Sequence, residues 1–126
     1  MSASFRRISE KGPVSILPGG AFQVSGKPHT GALLISSSGV YAWTALSAQE
    51  VDEAGLLRFL DAEGQERGDF LLLGTGPSLI LPPGSFRHEV DKRGLGLEVM
   101  DTPAACRTYG ILLGEGRAFT AALLPT

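Results

Sequence analysis

The first half of the chain shows the hydrophobic pattern of short β-strands. Apolar or alternating runs cover residues 22–25, 31–36 and 39–44, and turn-forming residues separate them. Because the connections are short, the three runs are expected to pair as antiparallel hairpins. Residues 1–14 are mostly polar, so we expect a loosely held N-terminal segment there.

The pattern changes to a helical period after the third strand. Ser47 and Glu50 have the spacing of a capping box, in which each side chain bonds the backbone of the other residue. The apolar residues that follow at helical spacing are Val51, Ala54, Leu57 and Leu60. The sequence therefore predicts a helix that Ser47 caps and that ends near Asp61, followed by a polar loop over 63–69.

Strand and helix patterns alternate in the second half. The predicted order is strand 70–73, helix 84–93 capped by Ser85, strand 95–100, helix 102–114 capped by Thr102 with Pro103 at its first position, and strand 118–124. Three hairpin strands followed by a βαβαβ segment predict an α/β fold. We expect a single three-layer domain over residues 1–126 with a central mixed β-sheet.

Composition and charge exclude several classes of function. The net charge is −2 and the signs are interspersed, so nucleic acid is not a predicted partner. Cys106 is the one cysteine, and His29 and His88 are far apart, so neither a disulfide nor a metal site is indicated. No cofactor is predicted. No apolar run approaches the roughly 18 residues of a membrane-spanning helix, and the first residues lack a secretory signal, which predicts a cytoplasmic protein without direct membrane insertion.

The glycine pair Gly74 and Gly76 follows a buried strand, as in many nucleotide sites. A dinucleotide fingerprint needs a third glycine and an immediate helix, but Leu79 stands at the third position and prolines follow. The segment is therefore interpreted as a tight turn. If strands 70–73 and 95–100 are parallel neighbours, this turn comes close to Thr102 at the carboxyl edge of the sheet, where ligands bind in open α/β folds. A polar cleft near Gly74–Gly76 and Thr102, in a small-molecule-binding protein or enzyme, is the alternative hypothesis.

Glu98 is the most distinctive charged residue, because it lies within an apolar strand. A buried carboxylate needs a partner, and Arg107, Arg117 or the hydroxyl of Tyr109 can supply one. Three interpretations are open: a structural ion pair, a carboxylate in a functional pocket, and simple exposure. Cys106 is interpreted as a small packing residue, since no histidine lies near it in sequence, and no hydrolytic triad is indicated.

The segments FLLLGTG and LGLEVMDTPAACRTYGILLGEGRAFTAALLP closely resemble domain-of-unknown-function family 498. This family includes mitochondrial respiratory complex I assembly factor 3 and a human adipogenesis-associated protein. The residues that match its pattern are Gly74, Thr75, Gly76, Glu98, Met100, Thr102, Ala105, Thr108, Tyr109, Glu115 and Arg117. Gly110 departs from the pattern, since the family often has asparagine there. The first half resembles the family only in its strand-rich layout and in the aromatic Trp43.

The resemblance implies a three-layer fold with a mixed sheet and no established catalytic reaction. It also implies protein binding, because the eukaryotic relative acts on other proteins during assembly of a respiratory complex. The leading interpretation is a non-catalytic protein-interaction or assembly-factor-like domain that binds through an exposed edge or face of its sheet. Its expected partners are subunits of a membrane respiratory complex, which would bring it to the periphery of the inner membrane. The candidate ligand or partner residues are Gly74, Thr75, Gly76, Glu98, Met100, Thr102, Arg107, Tyr109, Glu115 and Arg117, with no catalytic residue among them.

Overall fold

A six-stranded mixed sheet lies at the centre of the fold. The computed structural model describes residues 5–44 and 51–126. In that part of the chain the elements are β1 (Phe5–Ser9), β2 (Val14–Ile16), β3 (Phe22–Val24), β4 (Lys27–His29), β5 (Ala32–Ser36), β6 (Gly39–Trp43), α1 (Glu53–Glu63), β7 (Phe70–Gly74), α2 (Gly84–Lys92), β8 (Gly96–Met100), α3 (Thr102–Gly114) and β9 (Thr120–Leu123). A 3₁₀ turn at Gly64–Arg67 lies within the predicted loop.

The strand order of the large sheet is β1-β6-β5-β9-β7-β8. The β1–β6, β6–β5 and β5–β9 pairs are antiparallel, whereas β9–β7 and β7–β8 are parallel. The strands β2, β3 and β4 form a separate antiparallel sheet. The predicted α/β fold with a central mixed sheet, hairpin strands first and a βαβαβ segment afterwards, is confirmed.

Two apolar layers cover the central sheet. On one face Ala32 and Leu34 of β5 join the cluster that holds the buried residues of α1 and α2. On the other face Leu33 and Ile35 of the same strand join α3 and the small sheet. Burial of both faces explains why these strands read as continuous apolar runs and not as alternating ones.

The N-terminal segment is ordered where the sequence predicted a loose one. Residues 5–9 form β1, which pairs with β6 along the sheet edge. The Phe5 ring meets Phe59 edge-on at a centroid distance of 5.0 Å and Tyr41 at 6.0 Å. The prediction for this stretch was wrong because Phe5, Ile8 and backbone pairing hold an edge strand whose two arginines are exposed.

The helix starts also differ from the sequence predictions. Val51 and Asp52 are not helical, and α1 begins at Glu53 with the Asp52 carboxylate accepting from the Gly55 N–H at 2.9 Å. The predicted capping box of residues 47–50 lies outside the described residues. Ser85 lies inside α2, which has no side-chain cap because Pro83 precedes its first residue.

The cap of α3 is Asp101 and not Thr102. The Asp101 Oδ1 accepts from the Ala104 N–H at 2.8 Å, so Thr102 becomes the first helical residue. Both residue types cap helices well. The aspartate takes this role here because the Thr102 hydroxyl bonds elsewhere, at the carboxyl edge of the sheet.

Candidate functional site

The carboxyl edge of β7 and β8 is the place where an open α/β sheet would bind a ligand. The two strands are parallel neighbours, with Gly74 beside Met100. The chain leaves β7 for α2 on one face and leaves β8 for α3 on the other, which defines a topological switch point. The structure brings the Gly74–Gly76 turn against Thr102, as the sequence predicted for parallel neighbours.

Hydrogen bonds within the chain fill this crevice. The buried Thr102 hydroxyl accepts from the Gly76 N–H and donates to the Leu124 carbonyl, both at 2.8 Å. The Thr102 N–H donates to the Gly76 carbonyl at 2.8 Å, and the Thr75 N–H donates to the Met100 carbonyl at 2.9 Å. The turn is therefore a structural connection between β7, β8 and α3.

The first turn of α3 has no donor left for an anion. Ala104 donates to the Asp101 side chain, Ala105 donates to the Asp101 carbonyl at 2.9 Å, and Pro103 has no N–H. A Cβ on Gly74 would lie 3.0 Å from both the Ala105 Cβ and the Thr102 Oγ1, so glycine allows close approach of helix and strand. The backbone N–H groups that would bind a small anion or carboxylate under the alternative hypothesis therefore already donate hydrogen bonds within the chain.

An apolar surface lies beside this edge, on the face of α1 and α2. A small cavity of about 50 Å³ there is lined mainly by Val51, Leu56, Leu73, Ile80 and Phe86, together with Leu81, Pro82 and Pro83. In the loop over 77–83, Leu79 is 56% exposed and Leu81 is 69% exposed. This edge therefore presents apolar side chains to solvent and no cluster of convergent polar groups.

A larger groove runs along β8 on the face that carries α3. Its volume is about 370 Å³, and its lining residues are Phe70, Leu72, Gly96, Leu97, Glu98, Met100, Thr108, Leu112 and Arg117. The groove brings together three of the predicted site residues, Glu98, Met100 and Arg117. Its floor is apolar, and charged groups of opposite sign lie along it.

The two charges of the groove have no ionic partner among the described residues. Glu98 is exposed on the edge strand and forms no ion pair with Arg107 or Arg117. The Arg117 guanidinium lies 5.3 Å from the centroid of the Phe70 ring, a cation–π contact. Of the three interpretations of Glu98, the structural ion pair is wrong, because an exposed carboxylate has no desolvation cost to offset.

Three other predicted candidates lie away from the groove. Tyr109 is buried, its hydroxyl donates to the Gly12 carbonyl at 2.8 Å, and burial raises the pKa of the phenol to about 12. Glu115 is exposed at the end of α3. Arg107 is exposed beside β2, next to Cys106, whose pKa burial raises to about 11. Tyr109 and Cys106 therefore have packing roles.

Sequence reasoning missed the aromatic residues that support the groove. The rings of Phe70 and Phe119 stack at 5.4 Å, and Tyr109 meets Phe119 edge-on at 5.7 Å. The Lys11 amine lies 4.4 Å from the Phe119 centroid, and burial lowers the pKa of this lysine. The signal in the sequence was weak, because the residues come from three distant segments.

Comparison with known proteins places the chain in a family. The family described as "Protein of unknown function (DUF498/DUF598)" matches residues 14–124, and the chain belongs to it. An uncharacterised protein of Rhodobacter capsulatus is 38% identical over 106 residues, which are 84% of this chain and 78% of that protein. The resemblance stated from the sequence is confirmed.

Two further relatives extend the comparison. The NADH dehydrogenase [ubiquinone] 1 alpha subcomplex assembly factor 3 of Danio rerio is 32% identical over 104 residues. The match covers 82% of this chain but only 59% of the assembly factor. The crystal structure of an outer membrane protein from Bartonella henselae superposes with a TM-score of 0.79 at 28% identity, covering 93% of this chain and 97% of the other. Within the described part of this chain, no helix has the length and apolar character to span a membrane.

Proposed function

We propose that this chain is a non-catalytic protein-interaction domain that acts in the manner of an assembly factor. The observation that carries the proposal is the contrast between two sites. The donors at the switch-point crevice bond within the fold, whereas the groove along β8 is open and carries the unpaired Glu98 and Arg117. The membership of assembly factor 3 in the same family supports it.

The partners that we propose are subunits of a membrane respiratory complex. Docking of such subunits needs an accessible surface, and this fold offers an open sheet edge together with exposed Leu79 and Leu81. In this proposal the protein works in the cytoplasm and reaches the inner membrane through its partner. Nucleic acid is not a proposed partner, because the net charge of −2 provides no basic face.

Deletion of the gene in its source organism tests this proposal. We expect the amount of assembled respiratory complex, measured on native gels by in-gel activity, to fall and to recover when the wild-type gene is restored. Normal assembly without the protein would overturn the respiratory version of the proposal. In the control, the deletion strain expresses an unrelated small tagged protein without enzymatic activity in place of the restored gene.

A small-molecule binder is the second candidate, and the volume of the β8 groove favours it. Glu98, Thr108 and Arg117 are polar groups along a cleft of about 370 Å³, within the range of ligand sites. This location differs from the carboxyl edge that the sequence indicated. Isothermal titration with a panel of nucleotides and organic acids tests it. Heat of binding that Arg117→Ala abolishes would favour this candidate, and the absence of heat at millimolar ligand would reject it.

A further inference from the structure

The outer edge of β8 has backbone groups without a partner in the described chain. The Gly96 N–H donates to the Asp69 carbonyl at 3.1 Å, and the Met100 carbonyl accepts from the Thr75 N–H at 2.9 Å. Backbone groups alternate sides along a strand, so those of Gly96, Glu98 and Met100 point toward β7. The N–H and C=O groups of Leu97 and Val99 therefore point to the open edge.

Two of the other edge strands, β1 and β4, are protected in ways that β8 is not, and the third, β2, is only three residues long. The edge strand β1 has a register shift between Arg7 and Ser9, which disrupts regular pairing. The strand β4 contains Pro28, which has no N–H to donate. In β8 five consecutive residues keep a regular register with β7, and Glu98 is its one charged residue. Of the strand edges described here, β8 is the one suited to adding a further strand.

We propose that β8 binds an extended segment of a partner protein by strand addition, with alternate side chains of that segment lying in the groove. The inference rests on the proposed function and names its binding surface. Main-chain hydrogen bonds to Leu97 and Val99 supply affinity, and the groove supplies specificity. Gly96 has no side chain, so the Phe70 ring remains accessible at that end of the groove.

The charges along the groove define the chemistry of the partner segment. Arg117 lies over Phe70 at the Gly96 end, Glu98 lies in the middle, and Met100 with Thr108 lies at the other end. These positions are spaced two residues apart on β8, about 13 Å in all from Gly96 to Met100. The complementary segment carries an acidic, a basic and an apolar side chain at alternate positions, in that order from the Arg117 end.

A second copy of this chain fits the edge less well than such a segment. Antiparallel pairing centred on Glu98 would place the two Glu98 carboxylates directly opposite each other, and like charges in that position destabilise a strand pair. The same pairing would place Met100 of one copy opposite Gly96 of the other, at the Arg117 end where an acidic side chain is needed. In this register the charges therefore disfavour a second copy, and the dilution experiment described below tests self-pairing in every register.

The test uses synthetic extended peptides and the full-length protein. One original peptide has aspartate, lysine and leucine at alternate positions with valine between them, and a second has the same residues in reverse order. Two exchanged peptides repeat these sequences with aspartate and lysine exchanged. Amide hydrogen exchange is followed by NMR at each backbone position. We expect Leu97 and Val99 to exchange rapidly in the free protein and to become protected when one of the first two peptides is added.

Matched variants make the test specific for the groove. Glu98→Lys should lose the wild-type preference for the original peptides, because every peptide then has one matched and one opposed charge against Arg117 and Lys at position 98. Glu115→Lys, the same charge change outside the groove, should keep that preference. The preference of the wild-type protein for the original over the exchanged peptides is expected to be at least about tenfold, because like charges at an interface are strongly disfavoured. Equal affinity of the wild-type protein for the original and the exchanged peptides would overturn the proposal. Peptide binding that leaves amide exchange at Leu97 and Val99 unchanged would also overturn it.

Two results separate this inference from the proposed function. If the free protein already protects Leu97 and Val99 and dilution removes that protection, a second copy occupies the edge and the inference is overturned. If the peptides fail to bind while gene deletion still reduces assembly of the complex, the binding surface is wrong but the function stands. Peptide binding with normal assembly in the deletion strain would support the strand-addition site and reject the respiratory partner.

Discussion

Replacement of Thr102 by valine tests whether its hydroxyl closes the crevice at the switch point. Valine has nearly the same shape but cannot accept from the Gly76 N–H or donate to the Leu124 carbonyl, both of which Thr102 contacts at 2.8 Å. Thr102 is fully buried, so water does not replace these bonds freely. A buried polar group left without a partner costs about 1–3 kcal/mol, and two groups are affected. We expect Thr102→Val to lower the free energy of unfolding by about 2–4 kcal/mol.

Thr102→Ser is the matched control, because it keeps the hydroxyl and removes one buried methyl group. Its expected cost is about 1 kcal/mol. Urea unfolding of the three proteins gives the free energies, and unchanged m-values confirm that the comparison concerns the native state. The Gly76 amide should also exchange faster in the valine variant alone. Equal stability of the valine and serine variants would refute the role assigned to the hydroxyl.

Three further predictions concern packing, charge and thiol reactivity. Gly74→Ala should lower the free energy of unfolding by about 1–3 kcal/mol, because its Cβ would lie 3.0 Å from neighbouring atoms. Gly110→Ala, at an exposed position in α3 with open space around it, should raise the free energy of unfolding by about 1 kcal/mol. The reverse order of stability in thermal unfolding would contradict the packing described. Hydrogen bonding from Arg93 lowers the pKa of Asp61, so their pair stabilises the fold above the unfolded pKa of about 4 and loses this effect as the pH falls through the lower folded pKa. Because Asp61 is largely exposed, Asp61→Asn should cost less than about 1 kcal/mol at neutral pH and nothing in strong acid, and a loss that persists in acid would argue against the charge. Burial raises the pKa of Cys106 to about 11, so its alkylation by iodoacetamide at neutral pH should be about a hundredfold slower than that of an ordinary thiol, and a rate equal to that of free cysteine would show that the thiol is exposed.

The elements from β7 to β9 were predictable because their signals are strong and local. A continuous apolar run, a proline at a helix start and glycines at helix ends fix the type of each element within a few residues. The N-cap of α3 was placed one residue late, since Asp101 and Thr102 are both good capping residues and sequence does not show which one bonds elsewhere. The turn at Gly74–Gly76 was correctly interpreted as structural, because it lacked the third glycine and the immediate helix.

The edge position of β8 could not be predicted from the sequence. It depends on β9 returning to the far side of β7, which reflects how the two crossover connections pack and not any property of residues 96–100. An ion pair was therefore one of the three interpretations of Glu98, although an exposed edge residue needs no such partner. The strand β1 was missed for a related reason, because two apolar anchors, Phe5 and Ile8, are enough to hold a short edge strand.

The groove itself arises from residues that are distant in the chain. Phe70 and Arg117 meet only because β7 and β9 are parallel neighbours, and Gly96 leaves the ring of Phe70 accessible. The family pattern had marked Glu98, Met100 and Arg117 individually. The structure shows that these three residues line the same groove beside one strand edge, which the sequence did not indicate.

Affinity capture from the source organism tests the central claim most directly. Tagged wild-type protein, Glu98→Lys and the matched Glu115→Lys variant would be expressed at equal levels, extracted with gentle detergent and analysed by quantitative mass spectrometry. The account predicts stoichiometric recovery of respiratory complex subunits with the wild-type protein and with Glu115→Lys, and their loss with Glu98→Lys. Recovery of the bare protein in every case, or equal recovery with Glu98→Lys, would contradict it.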